Sequence, residues 1–180
     1  MELKTARLYL RDWRSGDKEI LLAIANNRKI WRNLVDRFPH PYTPAEADKW
    51  LKSNNDPEKK KNTFAIFYEQ SLIGGIGFEP KADVHRKTAT IGYWLGEPYW
   101  GKGFATEALR VVTAYAFNTF DLERIEAGVF AWNPPSAHVL EKAGYTLEGT
   151  RQNAIIKDGE ITSEVMYRIL RKDFEEKYTD

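Results

Sequence analysis

The sequence of 180 residues predicts an α/β (α+β) fold: a mixed, mostly antiparallel central sheet with one parallel strand pair and helices on both faces. Three observations carry that expectation. From Thr63 onward the runs TFAIFYE, LIGGIGFEP and TATIGYWL follow one another with only turn signals between them, the pattern of an antiparallel meander. A helical pattern then separates TATIGYWL from the strand RIEAGVFAW, and a strand-helix-strand crossover joins parallel neighbours. Finally, KDGE at 157–160 sets Asp158 and Gly159 between two closing strands, the strongest short signal for a hairpin.

The elements follow in order. In RLYLRDW, Leu8, Leu10 and Asp12 alternate against Arg7, Tyr9, Arg11 and Trp13, which is a strand. Ser15 is placed to cap the helix GDKEILLAIANN, whose face is Ile20, Leu21 and Ile24. A short helix is expected from Arg28 to Val35. Three prolines within FPHPYTP then exclude regular structure. Thr43 caps the helix PAEADKWLKSNN, which has Pro44 at its first position and aligns Ala47, Trp50 and Leu51. The meander turns at Gln70 to Ser71 and around Pro80 to Arg86. A helix from Phe104 to Thr119, the strand RIEAGVFAW, a helix from Pro135 to Ala143 and the final hairpin complete the chain.

Composition narrows the function classes. A net charge of +1 gives no overall field that would draw the chain onto nucleic acid or anionic lipid. The basic run Lys59 to Lys61 is read as a solvated loop. Cysteine is absent, which removes disulfides, thiolate metal sites and a cysteine nucleophile, and suits a reducing compartment. The opening MELKTARLYLRDWR interleaves charge with apolar residues, so neither a signal peptide nor a membrane span is expected, and the cytoplasm is the expected location. His40, His85 and His138 lack partners at a ligand spacing, so no metal site is expected, and His40 within FPHPYT reads as an ordered turn residue, with a place at the border of the acceptor mouth as its alternative.

The chemistry gathers at GEPYWGKGFAT, residues 96–106. Gly96, Gly101 and Lys102 fit the loop that cradles ATP, but Gly103 stands where that loop needs a hydroxyl for magnesium. RIEAGVFAW also ends in Trp132 rather than in a magnesium-organising acid. ATP is therefore excluded. A tight strand-to-helix turn that is merely glycine-rich stays open beside an anion cradle in which Gly101 and Gly103 admit phosphate to the main chain, Ala105 keeps the next turn small, and Lys102 and Thr106 add charge and a hydroxyl.

IGYWLGEPYWGKGFATEAL followed by NPPSAHVLEKAGYTLEG resembles the GNAT superfamily of N-acetyltransferases, and within it the RimJ/RimL-type protein N-terminal acetyltransferases. The resemblance runs from RLYLRDW through EVMYRILRKDF, with FPHPYTPAEADKWL included, and it implies one acetyltransferase domain over residues 1–180. It implies acetyl-CoA as co-substrate, with its pyrophosphate on Trp100, Gly101, Lys102, Gly103, Phe104 and Ala105, its pantetheine beside the main chain of Trp94, Leu95 and Gly96, and a contact from Asn133. Trp100 departs from the family's usual Arg or Gln and suggests packing there. A main-chain N–H near Leu95 would serve the oxyanion.

Acetyl transfer also needs a proton for the departing thiolate and a neutral amine. Leu140 stands where many relatives carry the tyrosine acid, so Ser136, which matches this branch's serine, is the candidate acid; capping of the helix AHVLEKAG is its competing role. For the base, Thr88 to Gly96 and Arg151 to Lys157 hold no carboxylate, and Gly128 stands where some relatives carry a glutamate. Glu126, on the strand face of Gly128, is the nominee, with Glu79 behind it; Glu97 is excluded because its charge would repel the pyrophosphate. At pH 7 about one α-amine in seven is neutral against about one lysine in 2,500, a gap of about 3.5 kcal/mol. A site without a strong base therefore suits an N-terminal amine of a protein or peptide. A small amine such as a polyamine, an amino acid or an antibiotic stays open as acceptor, as does a non-catalytic acyl-CoA-binding module, and the chain is expected as monomer or homodimer.

Overall fold

Fourteen elements succeed one another in a computed structural model that describes residues 1–54 and 61–178. They are β1 (Glu2–Lys4), β2 (Leu8–Arg11), α1 (Lys18–Ala25), α2 (Arg28–Trp31), α3 (Pro44–Asn54), β3 (Thr63–Tyr68), β4 (Ser71–Pro80), β5 (Thr88–Leu95), α4 (Phe104–Thr119), β6 (Arg124–Phe130), α5 (Pro134–Lys142), β7 (Thr146–Lys157), β8 (Glu160–Leu170) and α6 (Arg171–Tyr178). The strands order as β1-β2-β3-β4-β5-β6-β8-β7. β5 and β6 run parallel, whereas β1/β2, β2/β3, β3/β4, β6/β8 and β7/β8 are antiparallel, the mixed sheet expected from the sequence. Lys59 and Lys60 of the basic run lie outside the described residues.

The described residues divide into two compact units, one of 1–77 with 93–108 and one of 78–92 with 109 onward. The first is built on an aromatic core. Trp13, Leu21, Ala25, Tyr42, Ala47, Leu51, Ala65 and Leu72 are buried together, and Trp13 meets Trp50 edge-on at 6.3 Å. The face of α3 is as its spacing predicts, with Trp50 half-buried at its margin. That of α1 is turned: Ile20 is 45% exposed, and Leu21 with Ala25 faces inward. The anchor at its start is not Ser15 but Asp17, which closes a 3-10 turn over Ser15–Asp17 by accepting from the Arg14 N–H at 2.8 Å and from both terminal nitrogens of Arg11. Gly74 lets β4 approach β5 closely, since a Cβ there would sit 2.9 Å from the Leu95 Cα.

In the second unit, Ile125, Ala127 and Val129 of β6 are buried along with Leu109, Val112 and Ala116 of α4. Phe78 meets Phe120 edge-on at 4.9 Å, and the hydroxyls of Thr113 and Tyr145 bond at 2.8 Å in the interior. Arg171 satisfies carbonyls in the last turn of α4 and beyond it, donating to Phe117 and Leu122 at 2.8 Å each, which ties α6 down. α5 starts one residue before its expected position. The hairpin turns through Asp158 and Gly159, both at positive φ, as their types require. β1, α6 and the first half of β7 are elements that no periodicity announced.

Candidate active site

The glycine loop is shaped by what precedes it. At the end of β5 the Gly96 N–H donates to the Ile73 carbonyl at 2.8 Å, and the Gly96 carbonyl accepts from Tyr99 at 2.9 Å across a 3-10 turn over Glu97–Tyr99. Both main-chain groups of Gly96 thus have a partner within the protein. Main-chain groups alternate sides along a strand, so the Leu95 N–H points away from β4. The Trp100 indole N–H donates to the Leu95 carbonyl at 2.7 Å. Trp100 therefore latches the loop back onto β5, more than the packing its position suggested.

Gly101 and Gly103 follow at φ +73° and +81°, conformations that side chains with a Cβ resist. Space beside Gly101 is open, with nothing within 4 Å of where a Cβ would stand. The Gly103 carbonyl accepts the first bond of α4, from the Glu107 N–H at 3.1 Å, so the N–H groups of Phe104, Ala105 and Thr106 have no partner inside the helix. Phe104 is buried against Tyr68, ring centroids 4.6 Å apart, which fixes the helix start. Lys102 stands exposed between the glycines, its ammonium 5.7 Å from the Tyr99 ring centroid. Main-chain donors, a positive helix end and one cation fit a diphosphate.

Two acids flank this cradle, and partners hold both. Glu97 bonds Lys29 and accepts from the Asn27 amide at 2.9 Å; these hydrogen bonds hold its carboxyl below the usual range. At Glu107 burial pushes the carboxyl up, but hydrogen bonds from Thr5 and Arg7 outweigh it and the net shift is down. Neither charge is left to face an incoming anion alone.

In the second unit, the β5/β6 ladder is short. It joins Thr88, Ala89 and Thr90 to Arg124, Ile125 and Glu126, and β6 then runs on to Phe130 paired with β8 alone. Asn133 caps α5, yet its side chain makes no capping bond. Pro134 and Pro135 open the helix, so Ser136 lies half-buried inside the first turn, its N–H donating to the Asn133 carbonyl at 3.1 Å. Asn133 holds the cap position, and Ser136 sits at the third residue of the helix.

Glu126 is held by cations. It is 8% exposed, bonds the Lys81 ammonium, and accepts from the Arg124 Nε and Nη2 at 3.1 and 3.0 Å. Burial raises its carboxyl, but the two cations outweigh this and hold it below the ordinary value. Arg124 in turn bonds Glu148. Both Glu126 oxygens thus belong to an ion cluster with two cations, which argues against its nomination as base. Such a group contributes stability above its unfolded value and loses it as pH falls through the depressed folded value. Glu126→Gln is expected to lose about 2 kcal/mol at pH 7, and urea titrations should show that deficit shrinking as pH drops below about 4.

The second acid considered, Glu79, is exposed on β4. A third was overlooked. A Cβ on Gly128 would fall on the Glu164 carboxylate, 2.7 Å from its Cδ, so β8 delivers an acid into the space that Gly128 leaves. Glu164 lies opposite Phe130 and bonds Arg151 at 3.1 Å. The signal was the missing side chain at 128. Arg7 was overlooked too; it pairs with Glu107 and donates to the Lys102 carbonyl at 3.0 Å. The described residues contain no group of three or more His, Cys, Asp or Glu that could hold a metal ion, and no helix among them is long and apolar enough to cross a membrane.

A loop of main-chain donors entered from a strand of a mixed sheet accords with a transferase that draws on a coenzyme A thioester. Residues 7–146 match the acetyltransferase (GNAT) domain, and the chain belongs to that family of N-acetyltransferases. It is 43% identical over 180 residues to the probable N-acetyltransferase YjcK of Bacillus subtilis (strain 168), covering 97% of this chain and 99% of that one. Among solved structures, the ribosomal L7/L12 α-N-protein acetyltransferase RimL in complex with coenzyme A superposes with a TM-score of 0.83 at 22% identity, over 94% of this chain and 98% of the other. The spermidine N-acetyltransferase of Vibrio cholerae, in complex with coenzyme A and spermine, gives 0.79 at 23%, over 94% and 99%. At those identities the two structures share the fold.

Proposed function

We propose that the chain moves the acetyl group of acetyl-CoA directly to the N-terminal α-amine of a protein or peptide. The observation that carries the acetyl-CoA part is the loop at 101–106, where two glycines at positive φ precede three helix-start N–H groups without intrahelical partners. Acceptor class rests on chemistry: without a strong base, an α-amine is already partly neutral near pH 7 and a lysine is not. The fold shared with RimL fits this reading.

The roles are assigned residue by residue. The amine nitrogen attacks the thioester carbonyl, the C–S bond breaks, and the Leu95 N–H, aimed away from β4, stabilises the oxyanion between those events. Ser136 supplies a proton to the departing thiolate and is restored from solvent. The proton shed by the amine goes to Glu164, the acid that β8 sets opposite the stretch of β6 with no β5 partner in the ladder. Glu164→Gln should lower turnover about tenfold at pH 6.5 and less at pH 8.5, where the amine deprotonates unaided; initial rates at the two pH values check this.

Coenzyme A release with a panel of acceptors tests the function. N-terminal peptides should turn over, and the same peptides with a blocked α-amine and a free lysine should not. Turnover of polyamines alone would favour a small-amine enzyme similar in acceptor to the spermidine acetyltransferase. Tight acetyl-CoA binding without turnover of any acceptor would favour a binding module.

A further inference from the structure

We infer that Arg7 is a positioning residue for acetyl-CoA, locking the Lys102–Gly103 peptide so that the Gly103 N–H is presented to the diphosphate. The inference rests on the reading of the loop as a diphosphate cradle.

A trans peptide unit is planar, with its carbonyl and its N–H on opposite sides. Whatever fixes the carbonyl of Lys102 thereby fixes the direction of the Gly103 N–H. Gly103, on one side of this peptide, has no Cβ to resist its rotation. The Arg7 Nη1 removes that freedom by donating to the Lys102 carbonyl at 3.0 Å. The N–H on the other side then points away from Arg7.

Arg7 can do this because the rest of its fork is anchored. Its Nε and Nη2 reach Glu107 Oε2 at 2.8 and 2.7 Å, and its own main-chain N–H donates to Oε1 at 2.9 Å. Thr5 bonds the same Oε1 through its hydroxyl. The guanidinium lies 4.7 Å from the Phe104 ring centroid, stacked on the residue that begins α4. The fork therefore spans from Glu107, in the first turn of α4, to the carbonyl between the two glycines. It also neutralises Glu107, whose charge would otherwise oppose an anion at that helix end. A lysine carries the charge without the fork and cannot make both attachments.

The experiment compares two thioester donors, acetyl-CoA and S-acetylpantetheine, the second lacking the diphosphate. Arg7→Lys and Arg7→Gln should lower the ratio of kcat/KM for acetyl-CoA over that for S-acetylpantetheine by about tenfold, with the loss in the KM for acetyl-CoA rather than in kcat. Glu107→Gln should move the ratio the same way, since it releases the fork, and thermal unfolding of each variant verifies that it is folded. An unchanged ratio in a folded variant, or equal losses with both donors, would overturn the inference. Failure of the underlying reading shows separately: wild-type enzyme would then bind the two donors equally well.

Discussion

Gly103→Val is expected to lower kcat/KM for acetyl-CoA about 100-fold while the melting temperature moves by only a few degrees. Gly103 sits at φ +81°, and a β-branched residue there is a steric outlier. Two responses are open to the chain, and both damage the cradle. If the backbone keeps its conformation, the new Cβ stands 3.4 Å from the Arg7 guanidinium, and the methyl groups beyond it cover main chain that a phosphate must approach. If the backbone relaxes to negative φ, the Gly103 carbonyl leaves the Glu107 N–H, and the start of α4 loses its first bond. Residue 103 is exposed and outside either core, so the fold itself is spared. Isothermal titration with coenzyme A, beside a thermal melt, separates lost binding from lost structure; wild-type affinity in the variant would remove the loop from cofactor binding.

Ser136→Ala is expected to reduce kcat about 100-fold with the Kd for acetyl-CoA unchanged. A thiolate leaving without a proton donor raises the barrier of C–S cleavage, and a positioned general acid contributes about two to four powers of ten. The side chain sits in the first turn of a helix whose cap position is held by Asn133. Single-turnover kinetics would show the deficit in the chemical step. Wild-type turnover in the alanine variant would exclude Ser136 as the acid and leave water as the proton source.

Legibility differed from element to element for physical reasons. Gly101 and Gly103 could be read because positive φ selects glycine, and Asp158 with Gly159 because a two-residue hairpin turn demands both types. α6 could not: RKDFEEKY has no apolar stripe, and what holds the helix is Arg171 on carbonyls about fifty residues away and Phe174 against Phe117. The first half of β7, rich in polar residues, reads as a loop and becomes a strand only through β8. For Glu126 the strand face was read correctly, but Arg124, two residues earlier on the same face, already announced an ion pair. Lys81, far off in sequence, completed it. Arg7 belonged visibly to a strand pattern, while its attachment to Lys102 and Glu107 depends on chain closure over about a hundred residues, which no local pattern encodes.

That closure ties ligand capture to the integrity of the opening segment. Thr5 and Arg7 lie between β1 and β2, beside a three-residue strand at the sheet's rim, where fraying costs little. A purification tag or crowding protein that pulls this rim loose would slacken the grip on coenzyme A while both hydrophobic cores stay intact. Enzyme preparations with identical melting curves can therefore differ in their thirst for the thioester, and the cause would lie at the amino end rather than in the glycines themselves.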